Sequence, residues 1–314
     1  MARTAAVERA TREQVARALM GRRTDVGGVA FRLGLLLTLV FALAILIVLI
    51  LDVARTALPE LAERGGTIFG SGYSSLPANA GILQGLMGSI YLGIFVIVVA
   101  LPLGVGAAIY MEEYARDTAL TRLINTNIRN LAGVPAIVYG IMGLAVFVEL
   151  LKSVTGRGVE GRSLLSGGLT ISLMVLPIVI ITTQEALRAV PNSIREAGFG
   201  VGATRWEVIR SHVLPYAAPG VLTGSVLSMA RALGETAPLL MVGATQGFLA
   251  TQGGILDSLQ QHYTALPTLV YVYVKKPQEE FQELAAAAIL VLIGFIFVVN
   301  LTAILLRNRY ERKW

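Results

Sequence analysis

Arg231 and Glu235 lie in the stretch SVLSMARALGETAPLL, residues 225–240, which otherwise has the small, apolar composition of a membrane helix. An ionised side chain within a span is costly unless it pairs with another charge or faces an aqueous path, so such residues indicate function. Their spacing of four predicts one helix face, one turn apart. Because a guanidinium stays charged and donates two parallel hydrogen bonds to an oxyanion, we expect Arg231 and Glu235 to line an anion pathway. The alternative is a structural buried ion pair.

Hydroxyl side chains accompany this pair along the same stretch. By helical spacing, Ser228 and Thr236 fall near Arg231 and Glu235 and are candidates for contact with an anion. The other interpretation is that these hydroxyls bond back to the carbonyl one turn earlier.

The composition places these residues in a membrane protein. Of 314 residues, 55% are hydrophobic and only 15% are charged, and the mean hydropathy is +0.69. No cysteine is present, and the two histidines, His212 and His262, are far apart in sequence, so we expect no metal site. Because no Gly-x-x-x-x-Gly-Lys-Ser/Thr sequence occurs, we expect no ATP site, no bound cofactor and no catalytic residues in this chain.

Six apolar windows are long enough to cross a bilayer, which needs about 20 residues each. They are approximately Val29–Leu51, Ser89–Met111, Leu131–Leu151, Leu169–Thr183 with its flanks, Ala217–Val242 and Leu284–Leu306. The middle four carry Gly and Pro, which are tolerated where neighbouring helices pack closely. We therefore predict an all-α integral membrane fold of six spans, with spans two to five inside and the first at the periphery.

The positions of Lys and Arg predict the orientation. With the N-terminus inside, the inner segments hold a clear excess of basic residues, so both termini are expected in the cytoplasm of a multi-pass protein of the bacterial inner membrane. The net charge of +6 is assigned to this topology rather than to nucleic acid. Residues 1–28 form a basic N-terminal segment, either a surface amphipathic helix or a disordered tail. Residues 29–306 form the membrane domain and 307–314 a basic tail.

An inner segment between spans four and five, residues 184–215, has its own helix signals. Ser193 with Glu196, and Thr204 with Glu207, match the capping-box pattern at two helix starts. Glycines between them permit a tight turn, and Pro215 is expected to end the second short helix. Apolar residues mixed with charge predict a protein-docking surface; they are Phe199, Val201, Trp206, Val208 and Ile209.

At these residues the sequence resembles the coupling-loop signature of bacterial ABC-transporter permeases. Glu196-Ala197, Gly202 and Leu214-Pro215 stand at the family's spacing, while Gly198 replaces an Ala and His212 an Ile. The resemblance implies that this segment docks into a groove on a cytoplasmic ATPase subunit, which uses the ATP and Mg²⁺, and that helices move as the ATPase closes and opens.

Further motifs resemble the permease subunits of phosphate importers of the PstA type, within the binding-protein-dependent transport permease family. They are Arg231 to Pro238, Leu266-Pro267 with Tyr271, Tyr273 and Pro277, Tyr110 to Tyr114, and Gly133-Val-Pro135. Sulfate and molybdate permeases share a shorter Arg-x-Leu-Gly-Glu form, and Thr236-Ala237-Pro238 favours phosphate.

This resemblance implies an assembly around the chain. Its expected partners are a second related permease in a heterodimer, two copies of an ATPase subunit, an extracytoplasmic phosphate-binding protein and the lipid bilayer. The alternatives are a permease for another oxyanion, such as sulfate or molybdate, and a non-transporting membrane scaffold, which would give no reason for Arg231.

Overall fold

The described part of the chain is helical. The structure, a computed structural model, describes residues 26–155, 158–245 and 259–310, and within these ranges the β-structure consists of one isolated bridge between Thr245 and Thr264. The predicted all-α fold is confirmed. The principal helices are α1 (Val26–Arg64), α2 (Leu83–Tyr114), α3 (Ala119–Ala132), α4 (Ala136–Leu151), α5 (Leu164–Arg188), α6 (Asn192–Gly200), α7 (Arg205–Gly234), α8 (Ala237–Met241), α9 (Leu266–Val274) and α10 (Glu279–Tyr310).

Five of the described helices are long and apolar enough to cross a membrane: α1, α2, α5, α7 and α10. A sixth crossing arises if α3 and α4, which meet at a bend of 106°, count as one span. This number agrees with the six apolar windows of the sequence.

The third window, Leu131–Leu151, is wrong as a single helix. Leu131 belongs to α3, and the chain breaks before α4 begins at Ala136. Pro135 stands at the break, where its ring disfavours a helical conformation in the preceding residue and its nitrogen has no hydrogen to donate. α4 alone is about 24 Å long, less than the thickness of about 30 Å of a hydrocarbon core.

Helix α5 forms the centre of the packing. Its most apolar stretch is 67% buried, against 33% for α2 and 28% for α7, so the predicted interior position is clearest for the fourth span. Glycines on neighbouring helices allow the close approach: Gly104 lies against Val179, Gly143 against Thr170 and Gly224 against Thr182. Small residues at these crossings bring the backbones together, as in other membrane helix pairs.

The chain divides within α1 into two units, residues 1–52 and 53–314. The described part of the first unit is an apolar helix, and the peripheral position predicted for the first span stays a prediction. In the second unit, Ala57 at the end of α1 packs with Ala286 and Ala287 of α10. Most of the predicted N-terminal segment, residues 1–25, and residues 311–314 of the predicted tail lie outside the described residues.

Candidate functional site

The helix that carries Arg231 ends earlier than predicted. α7 stops at Gly234, Glu235 has an extended backbone with ψ of 125°, and α8 begins at Ala237, so the window Ala217–Val242 is not one helix. Pro238 explains the break because it has no N–H to donate to the carbonyl of Gly234, four residues earlier. Irregular backbone at membrane depth is tolerated where protein covers it or where it lines a cavity.

Arg231 and Glu235 meet at this break. Arg231 Nε lies 3.3 Å from a Glu235 carboxylate oxygen, with the side chains 41% and 24% exposed. The predicted proximity holds, but Glu235 follows the helix rather than sharing its face. Among the described residues, neither terminal nitrogen of Arg231 has a hydrogen-bond partner. Within the described ranges, the terminal nitrogens of the guanidinium therefore have donors available to a ligand, and a carboxylate lies beside them.

Helix α8, which follows the break in the fifth apolar window, packs against helix α4, which follows the break in the third. A Cβ added to Gly140 of α4 would lie only 2.6 Å from Pro238 Cα of α8, so these backbones touch. Tyr139 is buried and donates a 2.8 Å hydrogen bond to the Leu131 carbonyl, which bridges the interruption between α3 and α4. The helices that follow the two breaks therefore meet at Pro238, three residues after Glu235, and transporters use interrupted helices to form substrate sites.

The hydroxyls of α7 bond to their own helix. Ser228 donates to the Gly224 carbonyl at 2.9 Å, Ser225 to Val221 at 2.9 Å and Thr223 to Pro219 at 2.8 Å. The back-bonding interpretation is confirmed for these three, and Ser228 is not aimed at the Arg231–Glu235 pair.

The predicted coupling segment, residues 184–215, contains one cap of the two that we predicted. The Thr204 hydroxyl accepts from the Glu207 backbone N–H while the Glu207 carboxylate accepts from that of Thr204, as a capping box requires. The capping box predicted at Ser193 and Glu196 is not formed. α6 begins at Asn192, after Pro191, so Ser193 lies inside the first helical turn and caps nothing.

The turn between α6 and α7 depends on one glycine. Gly202 has φ of +82°, which favours glycine, whereas Gly198 and Gly200 are helical residues of α6. Gly198 instead allows close packing, because a Cβ there would lie 2.7 Å from a Val208 methyl group. Of the three glycines between the two predicted helix starts, Gly202 therefore makes the tight turn, and Gly198 and Gly200 belong to α6.

Pro215 does not end a helix, contrary to the prediction. Residues Ile209–Val213 form a π-helical turn directly before Leu214 and Pro215, and α7 continues to Gly234. The widened turn changes the hydrogen-bond pattern where the proline has no donor. Leu214 and Pro215 consequently lie on the same helix as Arg231, so one element joins the predicted coupling segment to the predicted pathway.

The docking surface predicted on residues 184–215 is exposed in part. Glu196 and Ala197 are exposed, and the large side chains of Phe199, Val201 and Trp206 are 46%, 84% and 52% exposed. Val208 and Ile209 were wrongly assigned to this surface, since each is 1% exposed, and Val208 packs with Leu187, Val190 and Val213. The alternation of apolar and charged residues did not distinguish the inward face of α7 from the outward face.

Sequence reasoning missed the ion pairs behind α6. Glu112 and Glu113, in a π-helical turn at the end of α2, pair with Arg188 and Arg195 respectively. These residues line a cavity of about 350 Å³ together with Asn192, Phe199 and Arg205. The available signal was the acidic pair in YMEEY, followed much later by the arginines of the 184–215 segment.

The motif around Leu266-Pro267 forms α9 and packs internally. Tyr273 is fully buried, donates a 2.6 Å hydrogen bond to the Gly81 carbonyl and stacks near Tyr73. Burial raises the pKa of the Tyr273 hydroxyl, so it remains a donor at neutral pH. Lys276 lies 3.7 Å from the Phe281 ring centroid, which fixes the turn after α9.

Comparison with known sequences gives one family. The sequence model of the family described as "Binding-protein-dependent transport system inner membrane component" matches residues 100–313. The chain is 32% identical over 229 residues to the phosphate transport system permease protein PstA of Yersinia pestis, covering 72% of each protein. It is 35% identical over 167 residues to the probable ABC transporter permease protein YqgI of Bacillus subtilis (strain 168). That match covers 53% of this chain and 54% of YqgI, so the matched region spans about half the length of that relative.

Solved structures show the same fold at low sequence identity. A chain of a bacterial alginate ABC transporter has a TM-score of 0.63 at 13% identity, covering 89% of this chain and 94% of that one. A chain of the MetNI methionine ABC transporter in an inward-facing conformation has a TM-score of 0.53 at 18% identity, covering 74% and 95%. At these identities the likeness concerns the fold alone.

Proposed function

This chain belongs to the family of binding-protein-dependent transport system inner membrane components, and we propose that it forms half of the translocation pathway for inorganic phosphate in an ATP-driven importer. That it is a multi-pass permease subunit of an ABC importer follows from the family and from the fold. The substrate, the partners and the orientation belong to the proposal.

One observation carries the phosphate assignment: among the described residues, the terminal donors of Arg231 have no protein partner, in the last turn of a helix whose continuation, α8, packs against α4. A guanidinium matches the geometry of a phosphate oxyanion and keeps its charge at every relevant pH. Glu235 neutralises Arg231 when the path is empty and repels the anion after entry, which prevents tight retention. The extension Thr236-Ala237-Pro238 and the PstA relatives support phosphate over other oxyanions.

The proposed assembly completes the pathway. A second related permease supplies the other half, two ATPase subunits bind beneath residues 184–215 and use the ATP and Mg²⁺, and an extracytoplasmic binding protein delivers phosphate. This chain itself holds no cofactor and no catalytic residue, and both its termini lie in the cytoplasm. Residues 1–28 and 307–314 are its cytoplasmic ends, and residues 29–306 are the membrane domain.

The coupling follows from the continuity of α7. Glu196, Ala197 and the apolar side chains of Phe199, Val201 and Trp206 form the docking face for the ATPase. Gly202 orients α6 against the start of α7, and Leu214 and Pro215 lie on the helix that ends beside Glu235. Closure of the ATPase pair moves the 184–215 segment and tilts α7, which changes access to Arg231.

Uptake of radioactive phosphate by cells carrying the complete importer tests the proposal. We expect Arg231→Ala to lower uptake about a hundredfold or more, because one well-placed charged donor is worth about 3 kcal/mol. Co-purification of all subunits should be unchanged. The matched control is Arg122→Ala, whose side chain pairs with Asp117 at an exposed position and should transport normally.

The competing assignments give different results. Loss of assembly in Arg231→Ala would identify the pair as a structural ion pair. Unlabelled sulfate or molybdate that competes as well as phosphate would identify the chain as a permease for another oxyanion. Unchanged phosphate uptake in a strain lacking this chain would indicate a scaffold.

A further inference from the structure

Arg195 lies on α6 but faces the interior of the protein. Its side chain is 18% exposed, although neighbouring Glu196 and Ala197 are exposed. All three guanidinium nitrogens donate: Nε and Nη2 to Glu113, Nη1 to the Val190 carbonyl at 2.8 Å, and Nη2 also to the Leu187 carbonyl at 2.9 Å. We call this set of contacts the Arg195 junction.

The Arg195 junction connects three elements. Arg195 belongs to α6, Leu187 to the last turn of α5, and Glu113 to the end of α2, 82 residues earlier in the chain. The Leu187 carbonyl, in the last turn of α5, also accepts from the Val190 backbone N–H, so Arg195 adds a side-chain donor to the end of this helix and to the residue just after it. Glu113 is 9% exposed, and the Arg195–Glu113 distance is 2.7 Å, as in a charge-assisted hydrogen bond.

The neighbouring pair, Arg188 with Glu112, serves as an internal comparison. It also joins the end of α5 to the end of α2, at 2.8 Å through Arg188 Nε. Arg188 is 50% exposed and Glu112 14%, and within the described ranges the side-chain hydrogen bonds of Arg188 reach Glu112 rather than α6. Of these two pairs, only the Arg195 junction includes the helix that carries the proposed docking face.

We propose that Arg195 is a positioning residue for transport: with Glu113 it makes α6 move together with the ends of α2 and α5, so that displacement of the 184–215 segment reaches the second and fourth spans. The inference rests on the proposed function, because it assumes that an ATPase acts on α6. Without the junction, α6 would move against the spans, and ATP would be hydrolysed with little transport.

The test measures phosphate uptake and ATP hydrolysis in the same proteoliposomes, which contain the complete importer and are supplied with the binding protein. For Arg195→Ala we expect the phosphate transported per ATP hydrolysed to fall about tenfold, within the usual range of coupling between sites. Arg188→Ala should change this ratio less than about twofold, because the hydrogen bonds of Arg188 join α5 to Glu112 of α2 and do not involve α6. Arg195→Lys keeps the charge but loses the three-way contact, so its ratio should lie between those of the wild type and Arg195→Ala.

A cross-linking experiment covers the case in which Arg195→Ala fails to assemble. The chain has no cysteine, so the double variant Glu113→Cys with Arg195→Cys can be joined by a short thiol-reactive cross-linker. We expect the unlinked double variant to be uncoupled and the linked one to regain most of its transport per ATP, whereas single-cysteine controls should not respond.

Two results would overturn the inference. One is an unchanged ratio of phosphate transported to ATP hydrolysed in assembled Arg195→Ala importers. A parallel fall in uptake and hydrolysis, which leaves this ratio unchanged, counts as the same result. The other is a block of uptake by the cross-link, which would mean that α6 and α2 separate during the cycle. A wild-type importer that hydrolyses ATP without taking up phosphate would instead contradict the proposed function.

Discussion

Two Arg–Glu pairs in this protein have the same chemistry and different surroundings. Arg231 and Glu235 are 41% and 24% exposed and share one contact of 3.3 Å. Arg195 and Glu113 are 18% and 9% exposed, and Arg195 also binds two backbone carbonyls. The first arginine has donors to offer a ligand, whereas the second uses its donors to hold protein segments together. Residue type alone would have assigned both the same role.

The two Arg–Glu pairs should respond differently to substitution. Losing one member of an enclosed, fully bonded pair leaves a charge and several polar groups without partners. Losing one member of the Arg231–Glu235 pair leaves a charge that faces the proposed aqueous path, where water solvates it at little cost. Stability should therefore depend on the Arg195 junction, and transport on both pairs.

The largest difference in stability is expected between two matched substitutions. Glu113→Gln should lower the free energy of unfolding by about 3 kcal/mol, because the largely buried Arg195 charge loses its carboxylate partner. Glu235→Gln should cost less than about 1 kcal/mol, because the Arg231 charge that it leaves faces the proposed aqueous path. SDS titration of the purified importer measures both, and equal losses would remove the distinction between the two pairs.

A smaller effect is expected at the contact between the interrupted helices. Gly140→Ala places a methyl group 2.6 Å from Pro238 Cα, and since backbone cannot rotate away, we expect a loss of about 2 kcal/mol. The same titration applies. The control is Gly106→Ala in α2, where no atom lies within 4 Å. If both variants were equally stable, α4 and α8 would not be in close contact.

The smallest effect concerns the turn of the 184–215 segment. Gly202→Ala should cost about 1 kcal/mol, because φ of +82° is unfavourable for an L residue with a side chain. Gly200→Ala, in the last position of α6 with open space around it, is the matched control and should be neutral. An effect confined to Gly200→Ala would show that the turn lies elsewhere.

Much of the fold was predictable because its signals are local. Apolar runs set the number of spans, and the capping box at Thr204 and Glu207 set the start of α7. The proximity of Arg231 and Glu235 was also predictable, since four residues separate them whether or not the helix continues. Two predictions failed near a proline. The helix end predicted at Pro215 was wrong because a π-helical turn precedes the proline and the helix continues through it. The third window was wrong as one helix because its first residues belong to the amphipathic helix α3, which ends before Pro135.

By itself, then, the sequence determined a six-span helical membrane protein with a charged pair in its fifth apolar stretch and a helical segment before it. The tertiary structure alone decided that α7 carries Leu214, Pro215 and Arg231 together, that the interrupted helices meet, and that Arg195 faces Glu113 rather than solvent. Hydropathy and capping depend on neighbours within a few residues. The partner of Arg195 lies 82 residues away, and only the packing of α2 against α5 brings it within reach.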